Sequence, residues 1–198
     1  MAPHKEAPLK KFLLIALLLL LFSKLSVAAW GWPQPSRWDL RTGYGYQYTN
    51  RSRPTNFQVI SVMPSAVFHL TDAVGPGWFR GRFNWNPELH LGLFIHPYDR
   101  PIFGINPIQF QWEWETHSRW KPYLVGGTGV AFANVNRRET RSHSNFSLHG
   151  GVGTYLDLNE RLSLIAEYRH THISNAGLDE DNSGIDTHTF LIGASSRR

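Results

Sequence analysis

Ile108-Gln-Phe-Gln-Trp-Glu-Trp-Glu115 alternates without a fault: residues 108, 110, 112 and 114 are apolar, and glutamine or glutamate fills every position between. A period of two is the signature of a β-strand whose two faces meet different surroundings, because successive side chains leave a strand on opposite sides. Working outward, the same contrast recurs. In Trp38-Asp-Leu-Arg-Thr-Gly-Tyr-Gly-Tyr-Gln-Tyr48 the apolar and aromatic set is 38, 40, 44, 46 and 48. Leu89-His-Leu-Gly-Leu-Phe-Ile95 and Phe146-Ser-Leu-His-Gly-Gly-Val-Gly-Thr-Tyr-Leu156 alternate too. No segment after residue 29 carries a 3.6-residue stripe, so the chain is all-β.

Such runs predict eight strands, at 38–48, 57–70, 78–95, 104–116, 122–134, 145–157, 161–174 and 185–195. Asn86-Pro87 threatens to break the third, and Pro64 suggests a bulge or bend in the second. Strands of this length exceed the roughly 9–11 residues a tilted membrane-spanning strand needs. Eight is also a common small count for a closed barrel of the bacterial outer membrane. Period alone does not say which face is inside. The face opposite the aromatics holds glycines with Arg41, Glu113, Glu115 and Asp157, which suit a polar lumen better than a dry core. The expected fold is therefore an eight-stranded antiparallel transmembrane β-barrel, apolar outside.

Composition agrees with that reading. Eight Trp, seven Tyr and twelve Phe accompany a mean hydropathy of only −0.32, because lipid-facing and lumen-facing residues average out. The chain opens with Lys5, Lys10 and Lys11, the apolar run Phe12–Phe22, and the small residues Ser26-Val-Ala-Ala29. These read as a signal peptide over residues 1–29, leaving residues 30–198 as one barrel domain. Cysteine is absent from the sequence, so export does not depend on disulfides. The net charge of +5 is spread along the chain without a dense basic stripe. Nucleic acid is not an expected partner; anionic lipopolysaccharide is. No His, Asp or Glu spacing suggests a metal, and no cofactor is expected. Gly126-Gly-Thr-Gly129 and Gly150-Gly-Val-Gly153 look like phosphate loops, but no helix follows either, and they read as glycines easing curvature in a tight barrel.

Chemistry concentrates in His170-Thr-His-Ile-Ser-Asn-Ala-Gly177 and Asn182-Ser-Gly-Ile-Asp186. His172 and Ser174 stand two apart on one strand and share a face. Their face-mates are Leu162, Leu164, Ala166 and Tyr168, the apolar set, so the pair looks toward lipid. A serine hydroxyl becomes a useful nucleophile when an imidazole takes its proton, and a carboxylate on the far nitrogen orients that imidazole. In an antiparallel hairpin Asp186 falls opposite His172 or Ser174, and can serve as the carboxylate. Asn175, through its side-chain amide, and Gly177, through its backbone N–H, are candidate oxyanion donors. Each residue alone also has a plain reading, as a polar rim side chain or a turn former.

His172-Ile-Ser-Asn-Ala-Gly177 followed by Asn182-Ser-Gly-Ile185 resembles the signature of the PagL-type outer-membrane lipid A 3-O-deacylases. Asn106-Pro107 and Lys121-Pro-Tyr-Leu-Val-Gly-Gly-Thr-Gly-Val130 are similar to that family's middle. The resemblance implies an eight-stranded barrel in the Gram-negative outer membrane, with a serine-esterase site on its lipid-facing exterior. It assigns His172 as base, Ser174 as nucleophile, and Asn175 with Gly177 as oxyanion donors. One departure stands out: the acidic member in the best-known relatives is glutamate, whereas Asp186 is shorter by one methylene. The implied reaction removes the ester-linked primary (hydroxy)acyl chain at the 3 position of lipid A. The competing readings are a non-catalytic barrel, adhesin or structural, and a phospholipid esterase on the same scaffold. Oligomeric state is left open, a homodimer included.

Overall fold

The computed structural model describes residues 33–47, 55–97, 99–133, 135, 143–178 and 183–197. The chain divides into two units, residues 1–34 and Pro35–Arg198. The signal peptide expected at 1–29 lies outside the described residues. The second unit is built from β1 (Arg37–Tyr46), β2 (Gln58–His69), β3 (Gly81–Trp85), β4 (Glu88–His96), β5 (Arg100–Trp114), β6 (Trp120–Ala133), β7 (Ser144–Asp157), β8 (Leu162–Ser174) and β9 (Ile185–Arg197).

All pairings are antiparallel, and the sheet closes on itself where β1 pairs β9 from Arg37↔Arg197 to Tyr46↔His188. β3 and β4 share one place in the ring, since both pair with β2 on one side and β5 on the other. The nine segments thus make a ring of eight spans, and the break expected at Asn86-Pro87 is where it falls. Proline has no N–H to give the ladder, so the strand yields there. The third span starts at Gly81 because Gly77–Phe79 form a single 3-10 turn. Pro64 behaves differently from expectation. It pairs with Leu40, and the β2–β4 register is the same on both sides of it; the shift in that ladder sits at Gln58/Val59. A second shift, between Ile105 and Ile108 of β5, absorbs Asn106-Pro107. The inward set changes there from Ile102, Gly104 and Asn106 to Gln109, Gln111 and Glu113, which keeps Ile108, Phe110 and Trp112 outward.

The outside is apolar. Leu148, Phe190 and Ile192 are 61%, 58% and 68% exposed, a surface that only lipid can cover without cost. The lumen is packed and ionic in its middle. Arg41 reaches Asp39 at 2.9 Å and Glu167 at 3.0 Å, while Arg169 holds Glu167 at 2.7 Å and also pairs with Glu88. Tyr123 donates to Glu167 and Tyr155 to Asp39, both at 2.7 Å. Gly153 makes room for this: a Cβ there would lie 2.3 Å from the Tyr123 ring. Such a network holds because each buried charge meets an opposite one and several hydrogen bonds.

Toward the end that carries the connections 47–57, 97–99, 134–143 and 175–184, the lumen becomes apolar. Phe57, Val59, Phe94, Ile102, Ala131, Ala133, Ile173 and Ile185 form one buried cluster. The sequence reading of a polar lumen is therefore right for the middle and incomplete at this end. The cause is local: these positions lie beyond the last ionic layer, and apolar side chains fill the bore without leaving a charge unpaired. The connection between the strands expected at 78–95 and 104–116 shrinks to 97–99 because β4 ends at His96 and β5 begins at Arg100.

Candidate active site on the outer face

β8 settles the question of face. Ser163, Ile165, Glu167, Arg169, Thr171 and Ile173 are buried in the lumen, so Leu162, Leu164, Ala166, Tyr168, His170, His172 and Ser174 line the exterior. The β8–β9 register then sets Asp186 directly across from His172, and His188 across from His170. Ile185, Thr187 and Thr189 turn inward, which puts Asp186 and His188 on the same outer surface as His172.

His172 Nδ1 lies 2.6 Å from Asp186 Oδ1. An ionised carboxylate only accepts, so Nδ1 carries the hydrogen and Nε2 is the basic nitrogen. The His172 side chain is 37% exposed and that of Asp186 15%. Three contacts fix the pair. The Asp186 N–H donates to Gln47 Oε1 at 2.6 Å, anchoring the start of β9 to the end of β1. Gly184 adopts φ +70°, and a Cβ there would come 2.7 Å from His172 Cε1 and 3.4 Å from Nε2. On the other flank β7 sets Leu148 opposite His172 and Phe146 opposite Ser174.

Ser174 ends β8 on the exterior side, half-buried and two residues from His172. No hydrogen bond joins its hydroxyl to the imidazole among the described residues. Asn175 follows with the opposite parity and is 2% exposed. Its Oδ1 accepts the Gly177 N–H at 2.9 Å, which fixes the orientation of the amide and occupies that backbone donor. Ala176 and Gly177 both take positive φ, 56° and 77°, so the chain leaves β8 in a left-handed turn. Among the described residues no group of three or more His, Cys, Asp or Glu is arranged to hold a metal.

Three neighbours had no assigned role from sequence: Tyr168 was only a face-mate of the pair, His170 a rim histidine, and His188 was not named. His170 Nε2 lies 3.8 Å from Asp186 Oδ1, the His170 and His188 rings stand 4.9 Å apart, and the Tyr168 hydroxyl meets His188 Nδ1 at 2.6 Å. Residue parity would have found them: 168, 170, 172, 174, 186 and 188 are all even in one hairpin.

Comparison with known proteins separates fold from activity. The crystal structure of the outer membrane enzyme PagL aligns with a TM-score of 0.58 and 18% identity, over 79% of this chain and 97% of that one. Neisserial surface protein A aligns almost as well, with a TM-score of 0.57 and 14% identity over 82% and 97%. An enzyme and a surface protein thus share the barrel equally, and these likenesses carry the fold alone. No curated protein sequence matches significantly. The family comparison is the specific one, matching lipid A 3-O-deacylase (PagL) across residues 24–195. This chain belongs to the PagL family of lipid A 3-O-deacylases, outer-membrane β-barrel hydrolases of Gram-negative bacteria.

Proposed function

We propose that this lipid A 3-O-deacylase is a Ser-His-Asp esterase, with Ser174 as nucleophile, His172 as base and Asp186 as its orienting carboxylate. The observation that carries the reading is the 2.6 Å His172–Asp186 pair on the lipid-facing surface, with Ser174 on the same face. Ser174 Oγ gives its proton to His172 Nε2 and bonds to the ester carbonyl carbon at the sugar 3 position. The resulting oxyanion forms beside the turn at 175–177, where the Gly177 N–H holds the Asn175 side-chain oxygen. Collapse breaks the bond to the sugar oxygen, which receives the proton from His172. Water then attacks the acyl-Ser174 ester, His172 relays its proton back to Ser174, and a free fatty acid leaves. With Asp186 directly opposite His172 across the ladder, the shorter acid reaches the imidazole without help from a longer side chain.

The face explains the substrate. A site among Phe146, Leu148 and Tyr168 meets acyl chains rather than water-soluble esters. Mass spectrometry of lipid A from cells with and without the protein is the direct test. One 3-O-linked chain should be missing when the protein is present and retained when Ser174 is replaced by alanine. A Ser174→Ala protein that still strips the chain removes Ser174 from the mechanism. N-terminal sequencing of the protein from the same cells tests the leader, since the mature chain should begin at or near Trp30. The comparisons support lipid A as the partner and do not support a homodimer, and no observation favours the adhesin reading.

A further inference from the structure

The carboxylate of Asp186 faces two imidazoles. His172 Nδ1 lies 2.6 Å from its Oδ1, and His170 Nε2 lies 3.8 Å from the same atom. Which of them it serves depends on where the Asp186 main chain is held. The β8–β9 register sets Asp186 across from His172, but the Asp186 N–H points the other way, to Gln47 Oε1 on the β1 side at 2.6 Å. His172 and Asp186 are therefore an antiparallel pair of the closely spaced kind, side chains pressed together with no main-chain bond between them. The hold on Asp186 comes from β1.

It comes from a side chain because the main-chain ladder has already run out. β1 and β9 pair as far as Tyr46↔His188, two residues short of Asp186. Gln47 follows directly on β1 and carries the ladder one step further with its amide. That amide is held at both ends: Nε2 donates to Thr55 O at 2.9 Å while Oε1 accepts from Asp186. The Gln47 N–H donates to Phe57 O at 2.8 Å, and the residue is 2% exposed. The end of β1, residues 55–57 and the start of β9 are thus tied at one buried glutamine. Gly184, just upstream of β9, takes φ +70°, so the bond to Gln47 is made where the chain has only just straightened into the strand. Phe57 and Ile185, next to these contacts, belong to the apolar cluster that fills this end of the lumen. An aliphatic side chain would fill it at lower cost, since an amide buried there must have both its ends bonded.

We propose that Gln47 is a positioning residue for the ester hydrolysis: by holding the Asp186 N–H it keeps the carboxylate on His172. The proposal rests on the Ser174–His172–Asp186 reaction proposed above. Gln47 is buried away from the outer surface that meets acyl chains, so its effect falls on turnover and leaves lipid binding alone.

The test is steady-state hydrolysis of lipid A by the full protein refolded in detergent, with folding verified by heat-modifiable migration. Gln47→Met keeps the length of the side chain and removes both amide bonds. It should lower kcat by about tenfold or more at near-constant KM, because small displacements of a catalytic group are costly. Gln47→Asn, one methylene shorter, should be slow as well and carries the test if the methionine variant fails to fold. Gln47→Glu should recover most of the rate, since a neutral carboxyl donates to Thr55 O and accepts from the Asp186 N–H as the amide does. The deciding arm is the double variant. With the carboxylate gone its placement is idle, so adding Gln47→Met to Asp186→Asn should cost less than about twofold more. Wild-type kcat in Gln47→Met and Gln47→Asn, or the full loss repeated in the Asp186→Asn background, overturns the positioning role while the esterase stands. Wild-type kinetics in Asp186→Asn alone overturns the proposed triad, and the role of Gln47 with it.

Discussion

This barrel holds two serine–histidine neighbourhoods, and they teach different things. In the lumen, Ser61 Oγ and His90 Nε2 are 2.9 Å apart, with Glu88 on the same strand and face as His90. On the exterior, Ser174 and His172 share a face with Asp186. By residue type and hydrogen bonding the lumenal pair is the better formed. Yet Ser61 is 1% exposed, and the apolar cluster around Phe57, Phe94 and Ile185 fills the bore above it. A lipid reaches the exterior pair by lateral diffusion and has no route to the interior one. Access decides which arrangement can act, and access was set by strand parity.

That contrast can be broken by mutation. Ser174→Ala should lower turnover of lipid A by roughly four orders of magnitude or more, with the barrel still heat-modifiable. If Ser61→Ala had that effect instead, the assignment of faces to roles would be reversed. Asp186→Asn should cost about 10³- to 10⁴-fold in kcat, since an amide lets the imidazole take the wrong tautomer. Wild-type kinetics in that variant would reduce Asp186 to a rim residue.

Gly184→Ala sharpens the exterior side. Its φ of +70° strains any residue with a Cβ, and that Cβ would intrude on His172. A displaced imidazole should slow turnover by about 100-fold while binding of substrate changes little, readable as a fall in kcat at near-constant KM. Glu167→Leu probes the interior side. It strips a partner from Arg41, Arg169 and Tyr123 together, leaving buried cations short of charge. Unfolding in detergent should show a loss of ~3–5 kcal/mol, with activity per folded molecule retained. Ser61→Ala is expected to have the smallest effect: unchanged turnover in the same lipid A assay.

Much of this was legible in the chain. Ile108–Glu115 announces a strand and its two faces, and Leu162 to Ser174 carries the same alternation up to the candidate nucleophile. Alternation is a property of the local backbone, so parity alone put His172 and Ser174 outside. Asn86-Pro87 was also readable, because a missing N–H acts where it stands. Pro64 shows the limit. The same chemistry produced no register shift, since β1 and β4 hold β2 in step on both sides of it. The His170–His188–Tyr168 cluster went unread for a similar reason: its members lie on two strands and meet only through the hairpin register.

Sequence by itself determined the architecture and the outward aim of the serine and histidine. Those follow from periods and compositions that need no partner strand. Tertiary structure decided the rest. It chose His172 as Asp186's opposite, pressed Gly184 against the imidazole, sealed the lumen with an apolar cluster, and lined up the histidines below the site. Each of those depends on how far one strand slides along another, and that slide is fixed by loops and packing distributed around the whole ring.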